Sequence, residues 1–263
     1  MIKILFTDID GVLVRRPIDP IPPEVVAAIK VASTKIHISF CTGRNKSQVW
    51  PLIEACGLQN EYHILESGTR VLAPKGSWEY VKPINTALIP ELLTLTTSLG
   101  AEYGICQDDI WHRTIDDVNQ QSPVTIFSIN TESEEQTHRA VMSLKKHASS
   151  VFIGVGTHYA NPHGACIQLS DISANKSYGV KHVQKILGIK KGESAAIGDM
   201  PMDQIFFREC SFIFAPQDAN EQTKKMAHKI VPSVEDFGYI AALAYLTGKK
   251  MKYTKDRKKT VVR

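Results

Sequence analysis

The stretch Ile4-Leu5-Phe6-Thr7-Asp8-Ile9-Asp10-Gly11-Val12-Leu13-Val14 decides the fold. Its first half is apolar, rich in β-branched and aromatic residues, and shows no polar alternation after Lys3, the pattern of a strand buried on both faces of a parallel sheet. The run ends abruptly in two carboxylates. Side chains at i and i+2 of an extended segment project to the same side, so Asp8 and Asp10 leave the strand's carboxyl end aimed at one small volume, and Gly11 lets the chain turn beneath them. In open α/β sheets ligands bind at that end of the strands. Two carboxylates this close repel unless a cation intervenes. A hard cation such as Mg2+, bound by few carboxylates together with water and substrate phosphate, resolves the conflict. On this stretch alone, a solvated Asp-x-Asp turn is the alternative.

Outward from that strand the chain alternates. A Pro-rich loop over 15–23 leads into Pro22-Pro23-Glu24, which opens a helix whose apolar residues Val25, Ala28, Ile29 and Ala32 recur at helical spacing. A second apolar run, 36–41, stops at Thr42-Gly43-Arg44, and 45–56 reads as a helix capped by Asn45 with a kink expected at Pro51. A third strand, 63–65, ends at Glu66-Ser67-Gly68, followed by a hairpin-like stretch to Lys82. Then the texture changes: 83–168 reads as helix 86–99, strands 102–107, 110–115 and 124–129, helix 134–148 and strands 151–156 and 165–169. Adjacent strands in such runs imply an antiparallel sheet with helices on one face. After Lys176 the alternation returns, with helices 178–187, 201–208, 220–227 and 234–246 and strands 194–197, 212–214 and 229–231. The expected architecture is a Rossmann-like, doubly wound parallel α/β sheet core (1–82 and 169–247) with an inserted α+β cap domain (83–168) and a basic tail (248–263).

The composition is that of a globular protein: 263 residues, 43% hydrophobic and 22% charged. No apolar run is long enough to span a membrane and no signal-peptide pattern opens the chain, so no membrane partner is expected and a cytoplasmic protein is the simplest reading. Five scattered cysteines (41, 56, 106, 166 and 210) form no Cys-x-x-Cys pair, which speaks against zinc and disulfide chemistry. The net charge of +4 is uneven: 248–263 holds eight Lys or Arg against one Asp, leaving 1–247 at −3. Terminal charge runs are ordinarily solvated, and this tail is the sole ground for a nucleic-acid partner.

Three of the expected core strands run into polar ends: Thr7-Asp8-Ile9-Asp10, Thr42-Gly43-Arg44, and Gly198-Asp199-Met200-Pro201-Met202-Asp203. Were those strands neighbours, one sheet edge would gather four carboxylates, a hydroxyl and a guanidinium. Lys176, in Asn175-Lys176-Ser177, opens a helix, so its ammonium and the helix's first amides can face an anion. Such a collection suits phosphoryl transfer, in which positioning and charge neutralisation do most of the work.

In that order the motifs Asp8-Ile9-Asp10-Gly11-Val12, Thr42-Gly43-Arg44, Lys176 and Gly198-Asp199 with Asp203 resemble motifs I to IV of the haloacid dehalogenase superfamily of phosphatases. The insert between the second and third resembles the C2B cap of the Cof-type branch, which holds many sugar-phosphate phosphatases as well as phosphomannomutases. The resemblance covers all but the tail. It implies that Asp8 is a nucleophile forming an aspartyl-phosphate and that Asp10 is the general acid and then the base. It implies Mg2+ as cofactor, held by the Asp8 carboxylate, the Asp10 carbonyl and Asp199, with Asp203 a ligand through water or an orienter of Lys176. Thr42 would hydrogen-bond phosphoryl oxygens, Lys176 would offset charge, and Gly43 and Arg44 would contact substrate. Two positions depart from the pattern: Met202 stands where many Cof-type members have Asn, and Ser177 where Gly is usual.

The motifs leave the phosphate ester open, and the small-molecule partner is sought in the insert. Residues 83–168 carry nine Asp or Glu against four Lys or Arg, and a lid of that sign would repel a second anionic group. The expected substrate is therefore a monophosphate with a neutral, hydroxyl-rich body such as a hexose or pentose phosphate, with His158, Asn161 and His163 as contacts, and phosphoglycolate, sugar bisphosphates and nucleoside triphosphates are expected to be poor. The rival readings are a phosphomutase, which needs a second basic phosphate site on the cap, and a catalytically silent protein held on nucleic acid by the tail.

Overall fold

In the computed structural model, which describes residues 1–15, 19–119, 121–157, 161 and 163–248, the opening apolar run forms β1 (Ile4–Thr7), every residue of it buried. The chain continues through α1 (Pro23–Ala32), β2 (His37–Phe40), α2 (Lys46–Cys56), β3 (His63–Leu65), β4 (Arg70–Leu72) and β5 (Trp78–Val81). The insert holds α3 (Ile89–Leu99), β6 (Glu102–Gln107), β7 (Ile110–His112), β8 (Val124–Thr131), α4 (Glu134–Leu144), β9 (Val151–Thr157) and β10 (Ala165–Asp171). The core resumes with α5 (Lys176–Leu187), β11 (Ser194–Ile197), α6 (Gln204–Phe207), β12 (Phe212–Pro216), α7 (Glu221–Met226), β13 (Lys229–Val231) and α8 (Gly238–Thr247).

The core sheet is parallel, in the order β13-β12-β11-β1-β2, and a parallel bridge from Cys41 to Ile64 carries it on to β3. This is the doubly wound order, in which the winding reverses between β1 and β11. The reversal decides where the site lies: Thr7 pairs with Ile197 on one side and with Phe40 on the other, so the three polar strand ends are adjacent. Apolar side chains from α1, α2 and α8 pack one face of the sheet (Ile29, Ile53, Leu243), and those of α5 and α6 pack the other (Val180, Val183, Phe206). β3, β4 and β5 form a small antiparallel sheet.

The inserted sheet is antiparallel, in the order β7-β6-β8-β10-β9. Along β10, Ile167 and Leu169 join Phe127, Ile129, Leu92 and Leu144 in a core beneath α3 and α4. Cys166 and Gln168 alternate with them, so they occupy the other face, and that face meets the core's loops.

Several expected elements are shorter or broken. The helix expected at 201–208 is a 3-10 turn, Pro201–Asp203, followed by α6, because the Asp203 carboxylate accepts the amides of Asp199 and Met200. The helix expected at 234–246 breaks at Phe237, whose φ is +57°, before α8 begins. The strand expected at 110–115 stops at His112, the helix expected at 134–148 stops at Leu144, and the one expected from 86 opens as a 3-10 turn, Thr86–Leu88. β8 and β10 run two residues past their expected ends, to Thr131 and Asp171. α2 keeps Pro51 within one helix and begins with a capping box between Asn45 and Gln48. No helix among the described residues is long and apolar enough to cross a membrane. The basic residues of the tail, all beyond Gly248, lie outside the described residues.

Candidate active site

At the reversal of the sheet, Asp8 leaves β1 with its amide bonded to the Ile197 carbonyl at 3.0 Å. Its carboxylate faces the Lys176 ammonium at 3.1 Å, and the same ammonium reaches Asp203 at 2.7 Å. Lys176 is 2% exposed, the first residue of α5, whose amide end is capped by Asn175 through the Tyr178 N–H. Burial alone would drive a lysine toward neutrality, yet Asp203 and Asp8 beside it hold its pKa above the ordinary value. Asp203 is fully buried, with one oxygen on Lys176 and the other accepting the amides of Asp199 and Met200 at 3.1 Å each. Both of its oxygens are thus engaged, and its role in this geometry is to orient Lys176 and the 199–203 loop.

Asp199 is the opposite case. Its Oδ1 is buried without a hydrogen-bond partner, and one oxygen each of Asp8, Asp199 and Asp203 lie within 4.8 Å of one another. Burial first, then Asp203 and Asp8, push the Asp199 carboxyl up to about 9 despite Lys176. Burial, then Asp203, raise Asp8 to about 7, with Lys176 again opposing. Carboxyls so displaced are short of a cation. Gly11 makes the arrangement possible, since a Cβ there would stand 2.1 Å from Asp199 Oδ2. An orphaned buried carboxylate oxygen in an all-oxygen cluster fits a hard divalent cation, with Asp8 and Asp199 as its protein carboxylates.

Asp10 stands apart from this cluster, its side chain 37% exposed. Arg44 grips it with two parallel bonds, Nε to Oδ2 at 3.1 Å and a terminal nitrogen to Oδ1 at 2.7 Å. Arg44, expected at the substrate, is spent on fixing the direction of Asp10. Thr42 is buried beneath, and its hydroxyl accepts the Arg44 amide at 3.2 Å. Cys41, next to Thr42, is inert because burial pushes its thiol far up.

The face of the inserted sheet described above meets these loops at four places. Asp109, in the β6–β7 turn, pairs with Arg70 at 3.1 Å, and its carbonyl accepts from Asn45 and Ser47. Thr125 donates to the buried Glu66 carboxylate, which also faces Arg70 at 3.3 Å. Ser67 donates to Gln168 Oε1 at 2.5 Å, beside Gly43. Met202 fits against Gly154 and Gly156 of β9.

Three of these contacts rest on residues that carry no site role in the sequence reading: Glu66, Ser67, Arg70, Asp109, Thr125 and Gln168. The available signal was the polar Glu66-Ser67 end of β3 and the polar alternation of β10. The expected substrate contacts are displaced. Asn161 bonds the Glu132 backbone at 3.0 Å, and His163 sits with Glu134, Thr137 and His138 on the α4 side of the sheet, away from Asp8. Both residues are thus engaged beside the start of α4. His158 lies outside the described residues. Of the acids counted in the insert, eight of the nine in 83–168 are exposed, and the ninth, Asp109, pairs with Arg70.

Fold and site together define a doubly wound α/β protein with an aspartate and lysine cluster at its switch point. The family model of the haloacid dehalogenase-like hydrolases matches residues 5–243, and the chain belongs to that family. Over 83 residues, 32% of this chain and 37% of the relative, it is 34% identical to a phosphoglycolate phosphatase of Archaeoglobus fulgidus; the match thus spans little more than a third of that protein. Among solved structures it resembles a haloacid dehalogenase-like hydrolase from B. subtilis (17% identity, 93% of this chain and 100% of that one, TM-score 0.82). It also resembles one from Bacteroides thetaiotaomicron (15%, 94% and 100%, TM-score 0.78) and a subclass IIB sugar phosphatase of the superfamily (18%, 93% and 99%, TM-score 0.75). At these identities the likeness is one of fold.

Proposed function

We propose that the protein is a Mg2+-dependent phosphomonoester hydrolase that acts on a small phosphorylated metabolite through a phospho-Asp8 intermediate. One observation carries the reading: a buried carboxylate, Asp8, held by a buried ammonium and set beside an unpartnered Asp199 oxygen, with an independently oriented second carboxylate, Asp10, at the open side. Bound by Asp8, Asp199 and, as the family resemblance implies, the Asp10 carbonyl, Mg2+ would offset the charge of the phosphoryl group and allow Asp8 to stay ionised.

The chain's own residues then perform two displacements. An Asp8 oxygen attacks phosphorus, the bond from phosphorus to the ester oxygen breaks, and protonated Asp10 gives its proton to the departing oxygen. Asp10, now a carboxylate, takes a proton from water as the water oxygen attacks the phosphorus, and the bond to Asp8 breaks to release phosphate. Lys176 stays charged throughout and faces the nucleophile. Arg44 keeps Asp10 aimed at the leaving oxygen, and the inserted sheet serves as the cap that walls the pocket.

A sugar phosphate remains the first choice of substrate, supported by the likeness over nearly the whole chain to a subclass IIB sugar phosphatase. Phosphoglycolate is the second. With no unpaired acid of the insert buried at the site, the charge argument against it loses its basis, and the archaeal relative favours it. A panel of sugar monophosphates, sugar bisphosphates and phosphoglycolate, assayed with Mg2+ and with Asp8→Asn as control, tests the reading. Turnover that survives in Asp8→Asn, or in excess EDTA, would refute it.

A further inference from the structure

The Asp199–Asp203 loop also carries Met202, which the mechanism does not use. Met202 stands where the family resemblance leads one to expect asparagine, and its side chain reaches the inserted sheet. Its Cε lies 3.4 Å from where a Cβ of Gly154 would stand, and its Sδ 3.4 Å from that of Gly156. Alternate residues of a strand share a face, so the two glycines form a slot on β9, with the Phe152 ring also 3.4 Å from the Gly154 position. Asparagine ends one atom short of the methionine methyl and could not reach as deep. The loop is otherwise held by Asp203, which accepts the Asp199 and Met200 amides, and by the Asp199 carbonyl, which accepts the Asn220 amide at 2.8 Å.

We propose that Met202, seated in the Gly154 and Gly156 slot, is a positioning residue through which the inserted sheet holds the Asp199–Asp203 loop in place. It touches no reacting atom. Its effect passes along one turn of backbone to Asp199 and Asp203, and through Asp203 to Lys176. A Cβ at either glycine would only touch Met202, whereas a β-branched side chain, with atoms beyond Cβ, would fill the slot.

The test combines hydrogen exchange in the protein alone with turnover. In Met202→Ala the Asp199 and Met200 amides should exchange about tenfold faster, the effect of losing one partly buried thioether, while amides of β12 stay unchanged. Gly156→Val, made from the opposite side of the contact, should do the same. Met202→Leu, apolar and of similar volume, should restore protection. The turnover arm rests on the phosphatase reading: kcat/KM should fall about tenfold for small and bulky esters alike, with the melting temperature of the core nearly unmoved. Unchanged exchange at Asp199 and Met200 in Met202→Ala would overturn the proposal, as would a gain confined to bulky esters, which would make Met202 a size filter. Should the wild-type protein turn over no phosphate ester, the functional reading fails and the exchange arm still decides this one.

Discussion

Gly11→Ala separates two effects that a glycine next to a catalytic loop usually confounds. Gly11 has φ +73°, a region that costs an L-residue about 1–2 kcal/mol. Gly100 has φ +62° with nothing within 4 Å of an added Cβ, so Gly100→Ala measures that backbone cost alone. At Gly11 the Cβ would also stand 2.1 Å from Asp199 Oδ2 and 2.4 Å from its Cγ, and the carboxylate must retreat by about 1 Å. Metal sites tolerate shifts of only about 0.2 Å, and a misplacement of about 1 Å at a reacting centre costs on the order of 100-fold. If the loss falls on Mg2+ affinity, wild type at 100 times its dissociation constant gains about 2.7 kcal/mol of stability, whereas the variant at that concentration gains about 0.4 kcal/mol. Urea denaturation of the three proteins, with and without Mg2+, reads both terms. Without Mg2+ the two alanine variants should be destabilised to within about 1 kcal/mol of each other, and only Gly11→Ala should lose the Mg2+ increment. A Gly11→Ala protein that keeps the full increment would refute the assignment of Asp199 to the cation.

Asp10→Asn should lose about 100- to 10,000-fold in kcat on alkyl phosphates but markedly less on p-nitrophenyl phosphate, whose leaving group needs no proton; equal losses on both would count against Asp10 as the acid. Lys176→Met leaves Asp8 and Asp203 buried without their shared cation, and chemical denaturation should show a loss of about 3–5 kcal/mol along with loss of turnover; a variant as stable as wild type would contradict the geometry. His63 is fully buried, accepts the Phe40 amide and bonds the Leu58 carbonyl, and burial lowers its pKa to about 4 from 6.5. The unfolded chain therefore binds the extra proton first as pH falls, so stability is intact above pH 6.5 and declines by about 3 kcal/mol on the way to pH 4. A His63→Gln protein should show a shallower decline over that window, and an identical slope would dismiss the assignment.

What the chain disclosed by itself was whatever rests on covalent neighbours and on sheet periodicity. The apolar run before Asp8, the i and i+2 carboxylates and the return of strand and helix alternation after Lys176 require only local rules, and the adjacency of β1, β2 and β11 follows once the core is doubly wound. What failed required knowing which face a segment presents. His163 and Asn161 stand close to a strand end in the sequence, yet Asn161 bonds Glu132 and His163 lies beside α4. A count of the insert's acids carries no direction, and eight of the nine are exposed. Arg44 lay correctly in its motif, but only distance shows it engaged with Asp10 instead of standing free for substrate. The alternation of β10 shows that Gln168 faces away from the apolar core, but not its partner, because Ser67 lies about a hundred residues away, as Glu66 lies about sixty from Thr125.

The same distinction explains why charge counting says little over the insert and much at the switch point. Exposed acids are screened and free to turn outward, so their sum says little about any one volume. Asp8, Asp199 and Asp203 cannot turn away: β1 and β11 fix the first two at paired strand ends, and two backbone amides with one ammonium fix the third. With all three ionised, Lys176 leaves two negative charges in a volume that water barely enters, while Asp10 stands outside that volume, bonded to Arg44. Two uncompensated charges match one divalent cation, and when it is absent the raised Asp8 and Asp199 carboxyls bind protons in its place. Cation binding near neutral pH should therefore release protons. Calorimetry of Mg2+ binding in two buffers of different ionisation enthalpy reads that release directly, and equal heats in both would show that the cluster was already ionised and that its charge is balanced some other way.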